Sequence, residues 1–224
     1  GKPWQLPAVA DVVDALACAT RNGAEAMSRG HELGQVKAGY LADLLLVKGD
    51  PTVDVKLLQE CFKGAGRQVT ITAGDGFAGL KAILPPPTRR ALVLIDPSYE
   101  TRDDYANVVK GLQEALKRFA TGTYMVWYPL IPRPESHDLP RKLKNLAIKA
   151  GKSWLNASLN VKSNKLGKDA AGEVVRPGLS ASGVFVINPP HTLKALLKDA
   201  LPQMVELLGQ DQHASFVLES GSGN

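Results

Sequence analysis

The chain has 224 residues, 44% of them hydrophobic, which is enough apolar material for one full domain or for one domain with a small appendage. No apolar run approaches the roughly 18 residues of a membrane-crossing helix, and the first residues show neither a charged leader nor a small-residue cleavage site, so a soluble, cytoplasmic protein without a membrane partner is expected. The net charge of +5 is unevenly placed: Arg141, Lys142, Lys144, Lys149, Lys152, Lys162, Lys165 and Lys168 occur with no acidic residue among them.

A block of one sign suits a phosphate backbone; a solvated helix face running into a basic loop accounts for the same residues. Cys18 and Cys61 have no His or Cys at metal-ligand spacing, and His31, His137, His191 and His213 are scattered, so no metal site is expected.

In chain order, Val9, Val12, Val13, Leu16, Ala17 and Ala24 have helical spacing and predict an amphipathic helix over residues 7–26. Residues 34–39 are turn-rich, and residues 42–47 read as a short strand ending at Gly49-Asp50-Pro51. From Leu57 the pattern changes. Residues 68–72 are β-branched and predict a strand, and residues 75–84 a short helix stopped by Pro85-Pro86-Pro87. The apolar run 91–95 suits a strand covered on both faces in a parallel sheet.

Tyr105, Val108, Val109, Leu112, Leu116 and Phe119 form one stripe of a helix over 103–119. A strand over 123–129, a basic helix over 139–150, a weakly alternating strand over 154–161, a strand over 181–188, a helix over 192–208 and a last strand over 215–218 follow. Residues 220–224 have flexible-linker composition and are expected outside the fold. Strand and helix alternating in this way predict an α/β sheet with helices on both faces.

The residues with most chemistry lie where the 91–95 strand runs into Asp96-Pro97-Ser98-Tyr99, at the carboxyl edge where open α/β sheets bind ligands. An extruded adenine needs acceptors for its exocyclic amine and a flat partner for its ring. Asp96 and the Pro97 carbonyl could accept from the amine, and Tyr99 could stack the base. A turn followed by a core aromatic explains the same four residues.

The string Leu94-Ile95-Asp96-Pro97-Ser98-Tyr99-Glu100 resembles the (D/N/S)-P-P-(Y/F) motif of amino-methyltransferases, and Thr72-Ala73-Gly74-Asp75-Gly76-Phe77 is similar to the segment such enzymes place beside the adenosine of S-adenosylmethionine. Lys117-Arg118-Phe119-Ala120-Thr121-Gly122-Thr123-Tyr124, Trp127-Tyr128-Pro129, Ser180-Ala181-Ser182-Gly183 and Val186-Ile187-Asn188-Pro189-Pro190 extend the likeness. Over residues 57–219 the chain resembles the J-type bacterial methyltransferases that modify adenine N6 in 23S ribosomal RNA.

The resemblance implies Asp96 as catalytic residue and cofactor contact, Pro97 and Tyr99 as base-holding residues, Asp75 and Gly76 as cofactor-binding residues, S-adenosylmethionine as cofactor and 23S rRNA as partner. Ser98 departs from the motif, which has a second proline there. The family's early histidine pair, its glycine-rich loop after the first strand and its acidic residue after the second are not recognisable. Gly64-Ala65-Gly66-Arg67 is glycine-rich but precedes the 68–72 strand, so it cannot present helix amides to a ligand.

Residues 15–55 resemble instead the C-terminal end of a metal-dependent amidohydrolase, through Ala19-Thr20-Arg21-Asn22-Gly23-Ala24 and residues 34–51. The reading is a chimera joined near Lys56: an appendage over 1–56, a truncated Rossmann-like methyltransferase sheet over 57–219 and a tail over 220–224. Loss of the first strands leaves an open sheet edge, for the N-terminal helix and strand to cover or for a second copy to pair with in a homo-oligomer. Three functions stay open: an adenine-N6 methyltransferase, a hydrolase of amides, esters or lactones, and a non-catalytic RNA-binding remnant.

Overall fold

The computed structural model describes residues 43–47, 54–64, 69–163, 167–168, 174–175 and 178–223. The predicted helix at 7–26, the turn at 34–39, Ala65-Gly66-Arg67 and Lys165 lie outside the described residues. The chain divides into two units, residues 1–43 with 50–74, and residues 44–49 with 75–224.

In the first unit, helix α1 spans Asp54–Cys61. Residues 69–72, expected as part of a strand, form neither strand nor helix. Their β-branched side chains favour a pleated backbone, but strand propensity acts only where a neighbouring strand takes up the backbone groups.

The second unit is built on a six-stranded sheet, β1 (Asp43–Val47), β2 (Leu92–Asp96), β3 (Thr123–Pro129), β4 (Trp154–Asn160), β7 (Ala181–Ile187) and β8 (Ser215–Gly221), in the order β1-β2-β3-β7-β4-β8. Two short strands, β5 (Gly167–Lys168) and β6 (Val174–Val175), pair apart from it. β2 and β3 are parallel with Leu92 opposite Thr123, as the continuous apolar run implied. The far half is antiparallel: β7 runs against both β3 and β4, and β8 against β4. β1 lies beside β2, so of the two outcomes expected for that edge the structure has the N-terminal strand covering β2.

Among the described residues, four helices accompany these strands: α2 (Gly76–Ile83), α3 (Arg102–Arg118), α4 (Pro134–Lys149) and α5 (Leu193–Leu208). α2 ends at Leu84, whose backbone is extended at ψ 136° because the following proline crowds the helical conformation. α3 carries Asp103 and Asp104 in its first turn and Lys117 and Arg118 in its last, each complementing the helix dipole. α4 begins five residues before the expected start, with Pro134 in its first turn, and runs through Pro140.

Both sheet faces are covered. Val93, Val108, Leu112, Tyr124, Val126, Leu139, Leu143 and Ile187 form the solvent-free heart of one core. Trp154 belongs to that core, whereas Leu155, the next residue of β4, packs with Ala157 and Leu201 in a second. Successive strand side chains point to opposite faces, so β4 must have a helix on each side.

The C-terminal segment corrects the sequence reading. Ser220 and Gly221, expected in a flexible tail, pair with Leu155 and Trp154 as the end of β8. A ladder needs only backbone groups, and the small residue is required here: a Cβ on Gly221 would stand 2.9 Å from the Trp154 indole.

Candidate active site

β2 delivers Asp96 to the carboxyl edge of the sheet beside its parallel neighbour β3, where Ile95 pairs with Val126. Asp96 is half-buried, and its carboxylate makes no hydrogen bond or ion pair among the described residues. Burial raises its pKa above the usual aspartate value, since a desolvated carboxylate is harder to ionise. A fixed, unpartnered acceptor at a strand end is suited to an amine-bearing ligand.

The loop that follows is held by contacts from residues distant along the chain. Pro97 is buried, Ser98 exposed and Tyr99 only 3% exposed. Tyr99 has φ +55°, a left-handed conformation that costs a non-glycine residue about 1–2 kcal/mol. Its hydroxyl donates to the Trp127 carbonyl at 2.6 Å, and its ring lies 4.8 Å from that of Tyr105 and 6.2 Å from that of Trp127. Arg133, just before α4, donates from Nη1 to the carbonyls of Tyr99 and Glu100, both at 3.0 Å. The Thr101 amide donates to the Asp104 carboxylate at 3.0 Å, closing the entry to α3.

Tyr99 therefore does not present a face to solvent. Burial, with the Asp96 charge adding to it, raises its hydroxyl pKa far above the tyrosine range, so it stays a neutral donor. In this conformation it is a strut of the loop, and stacking a base would require the loop to open.

Asp75 caps α2: one carboxylate oxygen accepts from the amides of Phe77 and Ala78 at 2.8 and 3.0 Å. Gly76 is the first helical residue. No hydrogen bond joins this cap to Asp96. α2 packs on α3 through Phe77, whose ring occupies the place a side chain at Gly111 would need.

The basic block is divided among several elements. Arg141, Lys142, Lys144 and Lys149 lie on α4, Lys152 in the turn after it and Lys162 after β4. Lys168 is in β5. Arg141 pairs with Asp138 at 2.9 Å, and the Lys144 ammonium rests 4.7 Å from the centre of the Trp154 ring.

These elements define an α/β sheet protein with a carboxylate loop at the strand edge, a methyltransferase-like fold. The chain belongs to the family described as ribosomal RNA large subunit methyltransferase D, RlmJ, whose model matches residues 41–218. It is similar to the ribosomal RNA large subunit methyltransferase J of Haemophilus influenzae, 40% identical over 153 residues that make up 68% of this chain and 50% of that protein. The Escherichia coli methyltransferase of the same name is 39% identical over 149 residues, 66% of this chain and 49% of that protein. Among solved structures, protein LPL1258 from Legionella pneumophila superposes with a TM-score of 0.65 at 29% identity, covering 80% of this chain and 61% of that one. The chain thus spans about half the length of the curated relatives it matches.

The family match begins inside the segment read as amidohydrolase-like, at residue 41, and it favours the methyltransferase reading over the hydrolase and remnant alternatives. No helix among the described residues is long and apolar enough to cross a membrane.

Proposed function

We infer that this chain is an S-adenosylmethionine-dependent methyltransferase acting on adenine N6 of 23S ribosomal RNA in the cytoplasm. The observation that carries this is the half-buried, unpartnered Asp96 carboxylate on a loop pinned from two sides, in a chain of the RlmJ family. The residues present fit the adenosine-and-base end of the reaction: a free carboxylate, a glycine at a helix start and a rigid Pro97 turn.

S-adenosylmethionine, held by Asp75, Gly76 and Asp96, would supply an electrophilic methyl group. Asp96 would accept one N–H of the adenine amine and the Pro97 carbonyl the other, keeping the nitrogen lone pair directed at the methyl carbon. As nitrogen is alkylated its proton leaves toward Asp96, whose burial makes it a better proton acceptor than an exposed carboxylate. Tyr99 contributes by holding the loop closed through Trp127, and stacks the base only once the loop opens. Arg141, Lys142, Lys144, Lys149, Lys152, Lys162, Lys165 and Lys168 would carry the RNA backbone.

The test is isothermal titration with S-adenosylmethionine followed by transfer of a labelled methyl group to a 23S rRNA fragment. Heat on titration and transfer that Asp96→Asn abolishes are expected. Absence of both, or transfer at an undiminished rate in Asp96→Asn, overturns the reading. For residues 1–56 the proposal is descent from an amidohydrolase C-terminus joined near Lys56. Genomic reads showing an uninterrupted RlmJ coding sequence upstream of that codon would refute the fusion.

A further inference from the structure

A cleft of about 270 Å³ lies between α4 and strands β4, β7 and β8, lined by Arg141, Lys144, Trp154, Asn156, Phe185 and Glu219 among others. It shares no residue with the Asp96 loop. The sheet register builds its floor: Asn156 is directly opposite Phe185 on one side and Glu219 on the other, so the three project from one face, and Trp154 lies two residues along β4 on that same face. Arg141 and Lys144, three apart on α4, supply the wall.

The polar groups are unusual in what they leave free. Asn156 is buried, 8% exposed, and the Tyr128 hydroxyl donates to its Oδ1 at 2.7 Å, which fixes which way the amide points. Its Nδ2 makes no hydrogen bond among the described residues and, unlike the buried Trp154 Nε1 on the same face, is not shut off from solvent, so it is free to donate to a ligand in the cleft. The exposed Glu219 carboxylate beside it has no hydrogen bond or ion pair among the described residues, and Lys144 has no acidic partner there. Among the described residues, Arg141 is engaged only with Asp138 at the surface, a pair weak enough to exchange for a stronger anion.

A fixed donor next to an acceptor, with two cations on the adjoining helix, is complementary to a particular base edge. Guanine presents a carbonyl, O6, next to two N–H donors, N1–H and the N2 amine. Adenine presents a donor amine next to an acceptor nitrogen, so it would set donor against donor at Asn156. We propose that this cleft is a guanine-nucleotide subsite in which Asn156 Nδ2 donates to O6, Glu219 accepts from N1–H and the N2 amine, and Lys144 with Arg141 holds the phosphate. Its natural occupant is one unpaired guanosine of an RNA strand. That source rests on the methyltransferase reading, whereas the guanine chemistry does not.

The experiment titrates the full ¹⁵N-labelled chain and follows the Asn156 side-chain amide by NMR, assigned by its loss in Asn156→Asp. GMP, AMP and inorganic phosphate are added separately, as are single-stranded A-rich oligonucleotides with and without one guanosine. GMP should shift that resonance saturably at least about tenfold more tightly than AMP or phosphate, and Glu219→Gln and Lys144→Ala should each weaken GMP about tenfold, the loss of one charge-assisted hydrogen bond. The guanosine-containing oligonucleotide should bind more tightly than GMP.

Equal responses to AMP and GMP, or a phosphate response matching that of GMP, overturn the subsite. GMP binding more tightly than the oligonucleotide overturns RNA as its source. Should Asn156→Asp fail to fold, unchanged GMP affinity in both Glu219→Gln and Lys144→Ala overturns the proposal. A chain that binds GMP but transfers no methyl group leaves the subsite standing and defeats only the activity inferred above.

Discussion

Replacing Arg133 by alanine removes both hydrogen bonds that tie the Asp96 loop to the start of α4. The bond to the Tyr99 carbonyl is partly buried and the bond to Glu100 exposed, each 3.0 Å long. A charge-assisted bond contributes about 1.5–3 kcal/mol when shielded and far less in water, so the pair is worth about 2 kcal/mol, nearly all of it through Tyr99. The left-handed conformation of Tyr99 costs about as much, and without Arg133 its hydroxyl bond to Trp127 and the packing of its ring on Tyr105 and Trp127 are left to oppose relaxation of that strain. Urea unfolding should show Arg133→Ala less stable by about 2 kcal/mol. Amide exchange at Ser98, Tyr99 and Glu100 should accelerate more than in the core strands, and methyl transfer should fall more in kcat than in KM. Arg133→Lys should recover part of the stability, because an ammonium can reach a carbonyl. Stability within about 0.5 kcal/mol of the parent, with loop exchange unchanged, would refute the claim that Arg133 sets this loop.

Gly183→Ala places a methyl group inside the Tyr128 ring on the neighbouring strand, and thermal unfolding should report a loss of about 1–3 kcal/mol. Tyr99→Phe deletes the 2.6 Å bond to Trp127 and orphans that carbonyl; a loss of about 1–2 kcal/mol is expected in denaturant titration, with the aromatic packing retained. Asp96 has a folded pKa above its unfolded value, so its charge opposes folding once pH rises past the unfolded carboxylate range. Asp96→Asn should therefore raise Tm at neutral pH, and the advantage should vanish under acid conditions where both states hold the proton; a Tm difference independent of pH would contradict this.

Periodicity and punctuation along the chain were enough for the longer helices and strands of the second unit, though not for the short β5–β6 pair or the end of β8. The stripe Tyr105, Val108, Leu112 and Leu116 defines α3 whatever it packs against, and Pro85-Pro86-Pro87 ends α2 through local sterics alone. The Asp96 motif was legible for the same reason, since a strand-to-turn transition and its family strings are contiguous. The β-branched run at 69–72 shows the limit: a strand exists only by pairing, and pairing is not written in the strand itself. Likewise Ser220 and Gly221 have linker composition, yet β4 offers them a ladder and Trp154 demands the missing side chain.

Other features were decided by distance in the fold alone. Tyr99 as a strut depends on Trp127 and on Arg133, 34 residues away, and Asn156 acquires its orientation from Tyr128, 28 residues away. Glu219 comes beside Asn156 only through the β4–β8 register. Local sequence determined most of the helices and strands and where the half-buried Asp96 carboxylate stands. Tertiary structure decided which edge β1 takes, which aromatic is buried and which polar groups meet, because those outcomes depend on backbone pairing and burial between segments that no local spacing connects.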